Sequence, residues 1–226
     1  MPKVSVILTV YNKPQWLREC IDSVINQTYE DWELIILEDN SPNLEVKDII
    51  ESYSHYKNIF IYYSDINELD RYKTTRYATL INHGIRELST GDYITYLTDD
   101  DFYYPDRLRK MAQMLETKGV DVVYGNQQVV DASGNHAGIR ETKGILDSAW
   151  NLVDHNSVMH TRKVYFETDG WPEDPGAWGG ADSYFWLKIN NLGYQFYPIE
   201  GEPLDAKRYH EDAVQWKISN NVFFPK

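Results

Sequence analysis

The chain has 226 residues, 42% of them hydrophobic, enough to bury the core of one large domain. A formal net charge of −13 argues against a nucleic-acid backbone or an anionic membrane as the main partner. One cysteine, Cys20, excludes an internal disulfide and any multi-cysteine metal site, and no apolar run approaches the ~18 residues that span a bilayer. The opening Met-Pro-Lys-Val-Ser-Val lacks the character of a signal peptide, so a soluble, cytoplasmic protein is expected. The same acidity sets a condition on any phosphate ligand. Its charge must be offset by a bound cation or by a few well-placed Lys and Arg side chains.

Val4 to Val10 is a β-branched run that reads as a buried parallel strand, and Pro14 after Tyr11-Asn12-Lys13 suits the first turn of a helix. Trp16, Leu17, Cys20, Ile21, Val24 and Ile25 then recur at helical spacing, which makes Cys20 a buried structural thiol. Trp32 to Glu38 predicts a second strand ending in the turn Asp39-Asn40-Ser41-Pro42. Val46, Ile49, Ile50 and Tyr53 give a second helical stripe, and Ile59 to Tyr63 a third strand. After a polar loop around Asp65 to Asp70, Lys73 to Leu88 reads as one helix stopped near Gly91. Tyr93 to Leu97 is a fourth strand running directly into Thr98-Asp99-Asp100-Asp101. Pro105 opens a helix with Leu108, Met111, Ala112 and Leu115 inward, and Val120 to Tyr124 is a fifth strand.

This alternation predicts an α/β protein with a mostly parallel, doubly wound sheet. Ligands of such sheets sit beyond the carboxyl ends of the strands, where Tyr11-Asn12, Asp39 and Asp99 to Asp101 all fall. The second half changes character. Val129 to Asn135 looks like a strand entering a hairpin, Ser157 to Met159 a strand, and Ser183 to Asn191 a helix; the Gly-, Pro- and Trp-rich stretch from Asp169 to Gly180 carries no periodicity. Glu211 to Ser219 reads as a short helix. A boundary near residue 126 divides a donor half, 1–126, from an acceptor half, 127–226, within one compact domain.

Three consecutive aspartates after an apolar strand repel one another unless solvated or neutralised. Mg²⁺ or Mn²⁺ would remove that cost and keep coordination positions for substrate phosphates. A solvated loop, with Asp101 and Asp106 favouring the next helix N-terminus, is the plainer alternative. Asp39 fits a turn cap or a carboxylate accepting from a nucleobase or ribose. Lys13, Arg71 and Arg76 are candidates for a diphosphate, or surface cations. Asp182, after Trp178-Gly179-Gly180-Ala181, fits an N-cap and a general base for a hydroxyl. His155 and His160 read as satisfying local hydrogen bonds, and His210 as a late metal or phosphate contact. Trp171 and Trp178 offer either core packing or stacking faces for a sugar ring.

In order along the chain, Val4 to Asn12, Ser23 to Tyr29, Trp32 to Ser41, Thr75 to Ala78, Gly91 to Asp101 and Tyr104 to Leu108 resemble the donor half of family 2 glycosyltransferases of the GT-A fold. The similarity is strongest to the small spore-coat polysaccharide transferases, whose acceptor-side segment Asp154 to His160 resembles. It implies inverting transfer of a sugar from a nucleoside diphosphate donor, UDP or dTDP, to a carbohydrate or other hydroxyl acceptor in polysaccharide or glycoconjugate synthesis. By the same resemblance Thr9, Tyr11, Asn12 and Asp39 bind the nucleoside, with Asp99 near the ribose and Arg71 and Arg76 near the diphosphate. Asp100 is then the main metal ligand for Mn²⁺ or Mg²⁺, with Asp101 and His210 as further ligands, Asp182 the base, and Asp154 and Trp178 on the acceptor side. Two departures stand out. Ala181-Asp182 replaces the family's Glu-Asp pair, and the segment from Leu204 onward matches poorly. Gln215-Trp216-Lys217 is not the Gln-x-x-Arg-Trp signature of processive synthases. The alternatives are a sugar-1-phosphate nucleotidyltransferase, which needs a Gly-rich loop that Tyr11 to Pro14 does not supply, and a non-catalytic carbohydrate- or nucleotide-binding module. Dehydrogenase and P-loop chemistry lack their glycine motifs.

Overall fold

A computed structural model describes residues 1–211 and 213. The strands are β1 (Val4–Val10), β2 (Trp32–Glu38), β3 (Ile59–Tyr63), β4 (Tyr93–Thr98), β5 (Phe102–Tyr103), β6 (Val122–Gly125), β7 (Gln127–Val130), β8 (His136–Arg140), β9 (Val158–Thr161), β10 (Tyr197–Ile199) and β11 (Asp205–Arg208). The helices are α1 (Pro14–Ile25), α2 (Leu44–Glu51), α3 (Arg76–His83), α4 (Arg107–Lys118), α5 (Arg162–Glu167) and α6 (Ala181–Asn191). The helix expected over 211–219 and the motif at 215–217 lie outside the described residues, apart from Glu211 and Ala213.

Seven strands form the main sheet in the order β10-β6-β9-β4-β1-β2-β3. All neighbours are parallel except β9, which runs antiparallel to both β4 and β6. Because β9 comes from the second half of the chain and lies between two strands of the first, residues 1–126 and 127–226 share one sheet. A smaller sheet, β5-β11-β7-β8, stands beside it and carries the hairpin expected after Val129.

The parallel strands are covered on both faces, which is why they read as unbroken apolar runs. Val4, Val6, Leu8 and Val10 pack with Leu17 and Ile21 of α1, Ile50 of α2 and Met111 of α4. Ile7, Ile35 and Leu37 face the other way, against Ile81 of α3 and, farther out, Trp171, Phe185 and Trp186. Trp171 is only 2% exposed and stacks on Phe185 with ring centroids 4.9 Å apart, so it is a core side chain and not a sugar platform. Cys20 is likewise buried, donating to the Thr98 carbonyl.

Glu33 and His160 are buried titratable groups within the apolar sheet, and both are satisfied. Glu33 in β2 accepts from Ser5 Oγ at 2.7 Å, Thr90 Oγ1 at 2.8 Å and Gly91 N at 3.1 Å, and pairs with Lys3 at 2.6 Å. Burial alone would raise its pKa; the bonds from Lys3, Thr90 and Ser5 outweigh this and hold the carboxyl below its usual value. Glycine is required at Gly91, since a Cβ there would fall 2.5 Å from Ser5 Oγ. His160 in β9 has Nδ1 2.8 Å from the Thr161 carbonyl, so Nδ1 carries the proton and Nε2 accepts from Tyr96 Oη at 2.6 Å. Trp171 Nε1 donates to the same Tyr96 oxygen at 3.1 Å. Burial pushes the His160 pKa down to about 4.

The single helix expected over Lys73 to Leu88 is three pieces. A 3₁₀ turn spans Glu68–Lys73, α3 begins at Arg76, and the backbone widens to a π-helix over Gly84–Leu88. Thr75 is drawn out of line by its amide, which donates to the Glu173 carbonyl at 2.8 Å. That tertiary bond overrides helix propensity and sets Arg76 at a helix start.

Candidate active site

The register of the parallel strands sets the site. Thr9 of β1 lies level with Leu37 of β2 and Thr98 of β4, so the three strands end on one rim and release Tyr11, Asp39 and Asp99 side by side. Asn12 and Asn40, just past β1 and β2, take left-handed backbone angles (φ 59° and 55°) that turn the chain away from the sheet. A cavity of about 410 Å³ opens above this rim, within the usual range for small-molecule sites. Thr9, Tyr11, Asn12, Asp39, Arg71, Arg76, Asp99, Asp100, Asp154, Trp178 and Asp182, all singled out from the sequence, line it.

At one end Asp39 is gripped by two guanidiniums. Arg71 Nη2 donates to Oδ2 at 2.6 Å, while Arg76 Nε and Nη2 donate to Oδ1 at 3.0 and 2.6 Å. Arg71 also lies 3.7 Å over the Tyr11 ring. Both arginines, which the resemblance places near a diphosphate, are here committed to Asp39, and they fix its carboxylate against the end of β2.

The three aspartates after β4 separate into different tasks. Asp99 Oδ2 accepts from Tyr11 N at 2.7 Å and Oδ1 from Lys13 Nζ at 3.0 Å. Asp100 Oδ2 takes Lys13 Nζ and His210 Nε2, both at 2.8 Å, while Oδ1 has no hydrogen bond to a described residue. Asp101 is the departure from expectation. Its oxygens are taken by Thr98 Oγ1, the Arg208 amide, Asn156 Nδ2 and Lys207, and it does not line the cavity. Asp101 therefore fastens β11 to the end of β4 and is not placed as a cavity-facing ligand. Burial raises the pKa of Asp99 and of Asp101. Burial pushes Asp100 the same way, but Lys13 and the His210 bond outweigh it and hold this carboxyl well below its usual range. Lys13 in turn stays charged, because the attraction of Asp100 and Asp99 exceeds its own desolvation.

Among the described residues, no three His, Cys, Asp or Glu side chains are grouped to hold a metal unaided. The donor chemistry nonetheless fits a hard cation. Asp100 is an anionic carboxylate that lines the cavity, with one oxygen free of hydrogen bonds to the described residues, and Mg²⁺ or Mn²⁺ commonly takes one or two carboxylates plus phosphate and water. His210 is held on Asp100, its ring 4.2 Å from that of Trp16 in α1, and its buried Nδ1 has no hydrogen-bond partner among the described residues.

Asp182 stands across the cavity. The N-cap of α6 is Gly180, so Asp182 is the helix's second residue and not its cap; its Oδ1 accepts from Ser183 N at 2.8 Å. Oδ2 is 3.9 Å from His155 Nδ1. His155, read from sequence as a locally satisfied residue, lines the cavity, its ring lying nearly parallel to Tyr77. Tyr77 Oη holds the glycine turn by accepting from Ala181 N at 3.0 Å and donating to the Trp178 carbonyl. Asp154 pairs with Lys207 at 3.0 Å; burial would raise its pKa, but Lys207, His155 and Arg140 drive it far down.

Lys207 and Arg208 of β11 also line the cavity, and sequence reasoning missed both. The strand Asp-Ala-Lys-Arg has no apolar alternation to reveal it. Its charges are buried by pairing: Asp205 with Arg107, Lys207 with Asp101 and Asp154, Arg208 with Glu19.

With the geometry described, known proteins place the chain. The family model described as glycosyl transferase family 2 matches residues 5–177. The chain belongs to this family. It is 41% identical over 223 residues to protein CgeD of Bacillus subtilis, covering 94% of the chain and 51% of CgeD. Staphylococcus aureus TarS 1–349 in complex with UDP superposes with a TM-score of 0.75 at 16% identity, over 92% of this chain and 61% of that one. The mannosyltransferase PcManGT of Pyrobaculum calidifontis, in complex with GDP-Man and Mn²⁺, gives 0.69 at 16% identity, over 97% and 61%. Likeness at such identity establishes the fold, which is GT-A. The chain thus spans about half of CgeD and about three-fifths of these solved chains. Among the described residues, no helix is long and apolar enough to cross a membrane.

Proposed function

We propose that this glycosyltransferase moves a sugar from a nucleoside diphosphate donor to an acceptor hydroxyl with inversion, assisted by Mn²⁺ or Mg²⁺, in polysaccharide or glycoconjugate synthesis. UDP or dTDP is the donor nucleotide, and the cytoplasm the setting. The observation that carries this reading is the convergence of Asp39, Asp99, Asp100 and Asp182, from three separate segments, on one cavity at the strand ends. UDP in TarS and GDP-Man with Mn²⁺ in PcManGT agree with it.

Residues 1–126 supply the donor side and 127–226 most of the acceptor side. Asp39, immobilised by Arg71 and Arg76, accepts from the nucleobase; Thr9, Tyr11 and Asn12 flank the nucleoside, and Asp99 lies toward the ribose. Asp100, hydrogen-bonded by His210, would hold the divalent cation. Such a cation supplies charge neutralisation for the departing diphosphate. Lys13 and Lys207 add positive charge in the same space. Asp182 takes the proton of the acceptor hydroxyl, whose oxygen attacks the anomeric carbon opposite the leaving group, while Asp154 and Trp178 position the acceptor.

The test is calorimetry with UDP, dTDP and GDP with and without Mn²⁺, then hydrolysis of the matching nucleotide sugars. Asp100→Ala is expected to abolish metal-dependent donor binding; full affinity and turnover in that variant would remove the metal assignment.

A further inference from the structure

The cavity already contains a cation where the metal reading needs one. Lys13 Nζ lies 3.0 Å from Asp99 Oδ1 and 2.8 Å from Asp100 Oδ2, with only 18% of its side chain exposed. No other lysine or arginine touches the carboxylate of Asp99 or Asp100 among the described residues. Arg71 and Arg76 are spent on Asp39, and Lys207 on Asp101 and Asp154. Lys13 is thus the counter-ion that lets two adjacent buried carboxylates stand together.

A divalent cation arriving at Asp100 meets this ammonium at close range, and like charges so near repel strongly in a partly desolvated cavity. Lys13 can leave by rotating a flexible stem, since it follows the strand-end turn at Asn12 and, among the described residues, its side chain hydrogen-bonds through the ammonium to Asp99 and Asp100 alone. It will leave readily only if another anion is offered. The diphosphate of the donor is that anion.

We propose that Lys13 is an exchangeable stand-in for the metal, which makes divalent-cation binding depend on the donor. With the cavity empty, the ammonium neutralises Asp99 and Asp100 and competes with Mn²⁺ for Asp100. When a nucleoside diphosphate binds, Lys13 passes to its phosphates and Asp100 is released to the metal. Linkage then requires that donor and metal tighten each other by the same factor. This inference rests on the proposed metal role of Asp100, and the experiment separates the two.

Free Mn²⁺ is counted by its electron paramagnetic resonance signal during titration of wild type, Lys13→Met, Lys13→Gln and Asp100→Ala, each with and without UDP and GDP, after circular dichroism confirms folding. Wild type is expected to bind Mn²⁺ at least about tenfold more tightly with the nucleotide than without, within the usual range of such coupling. The two Lys13 variants are expected to bind Mn²⁺ alone about tenfold more tightly than wild type, with nucleotide adding little. Folded Lys13 variants that bind Mn²⁺ alone no better than wild type, while Asp100→Ala binds none, overturn the exchange and leave the metal site standing. Unaltered nucleotide-dependent Mn²⁺ binding by Asp100→Ala overturns both readings.

Discussion

Acid should destabilise this fold through His160 by an amount that can be worked out. The folded pKa is about 4 and the ordinary one 6.5, so the unfolded chain binds the extra proton first. A depressed folded pKa means that the stabilisation is complete above about pH 6.5 and is lost as pH falls toward 4. At roughly 1.4 kcal/mol per pH unit the whole effect is about 3 kcal/mol, of which about 2 kcal/mol is lost between pH 7.5 and pH 5. No solvent discount applies, because His160 is 0% exposed. The atomic cause is plain. Protonation would turn Nε2 into a donor facing Tyr96 Oη, which itself must then find a new acceptor. Urea unfolding of wild type and His160→Gln at pH 7.5, 6 and 5 tests this, since the other titrating groups contribute equally to both. The variant is expected to lose about 2 kcal/mol less than wild type between pH 7.5 and pH 5. Equal losses in the two proteins would refute the reasoning.

Asp182→Asn is expected to leave nucleotide affinity unchanged and to lower turnover at least about a hundredfold, the scale of general-base loss; turnover near wild type places the base elsewhere. Glu33→Ala leaves Lys3, Ser5 Oγ and Gly91 N without their buried carboxylate and is expected to cost about 3–5 kcal/mol by urea unfolding, with nucleotide affinity of the folded protein unaltered. A loss under about 1 kcal/mol would show that water replaces the carboxylate.

The donor side was legible because its signals are local and repeated. Apolar runs at Val4 to Val10 and Trp32 to Glu38 mark strands buried on both faces, and polar residues directly after them must lie on the ligand-binding rim. At Asp99 to Asp101 local pattern ends. Which of three neighbouring carboxylates meets the cavity depends on Asn156 and the amide of Arg208, from segments 55 and 107 residues away. The break before Arg76 was hidden for the same reason, because Glu173 imposes it from across the fold. β11 left no hydrophobic trace, as its side chains are buried by charge pairing rather than by apolar contact.

That pairing also sorts the carboxylates by what chemistry remains open to them. Asp39 holds two guanidiniums, Asp99 and Asp100 share an ammonium, and Asp154 holds Lys207. Asp100 and Asp154 are poor proton acceptors, because the cations beside them outweigh burial and hold both carboxyls well below the usual range. Asp182 differs. No Lys or Arg pairs with it among the described residues, its side chain is 22% exposed, and the neighbouring ionisable group is His155 at 3.9 Å. A proton arriving on Oδ2 strands no Lys or Arg among the described residues. Among the described residues, Asp39, Asp99, Asp100 and Asp154 hold Lys or Arg partners in the cavity and Asp182 does not. The case for Asp182 as the base therefore rests on which partners the other four hold as much as on its own position.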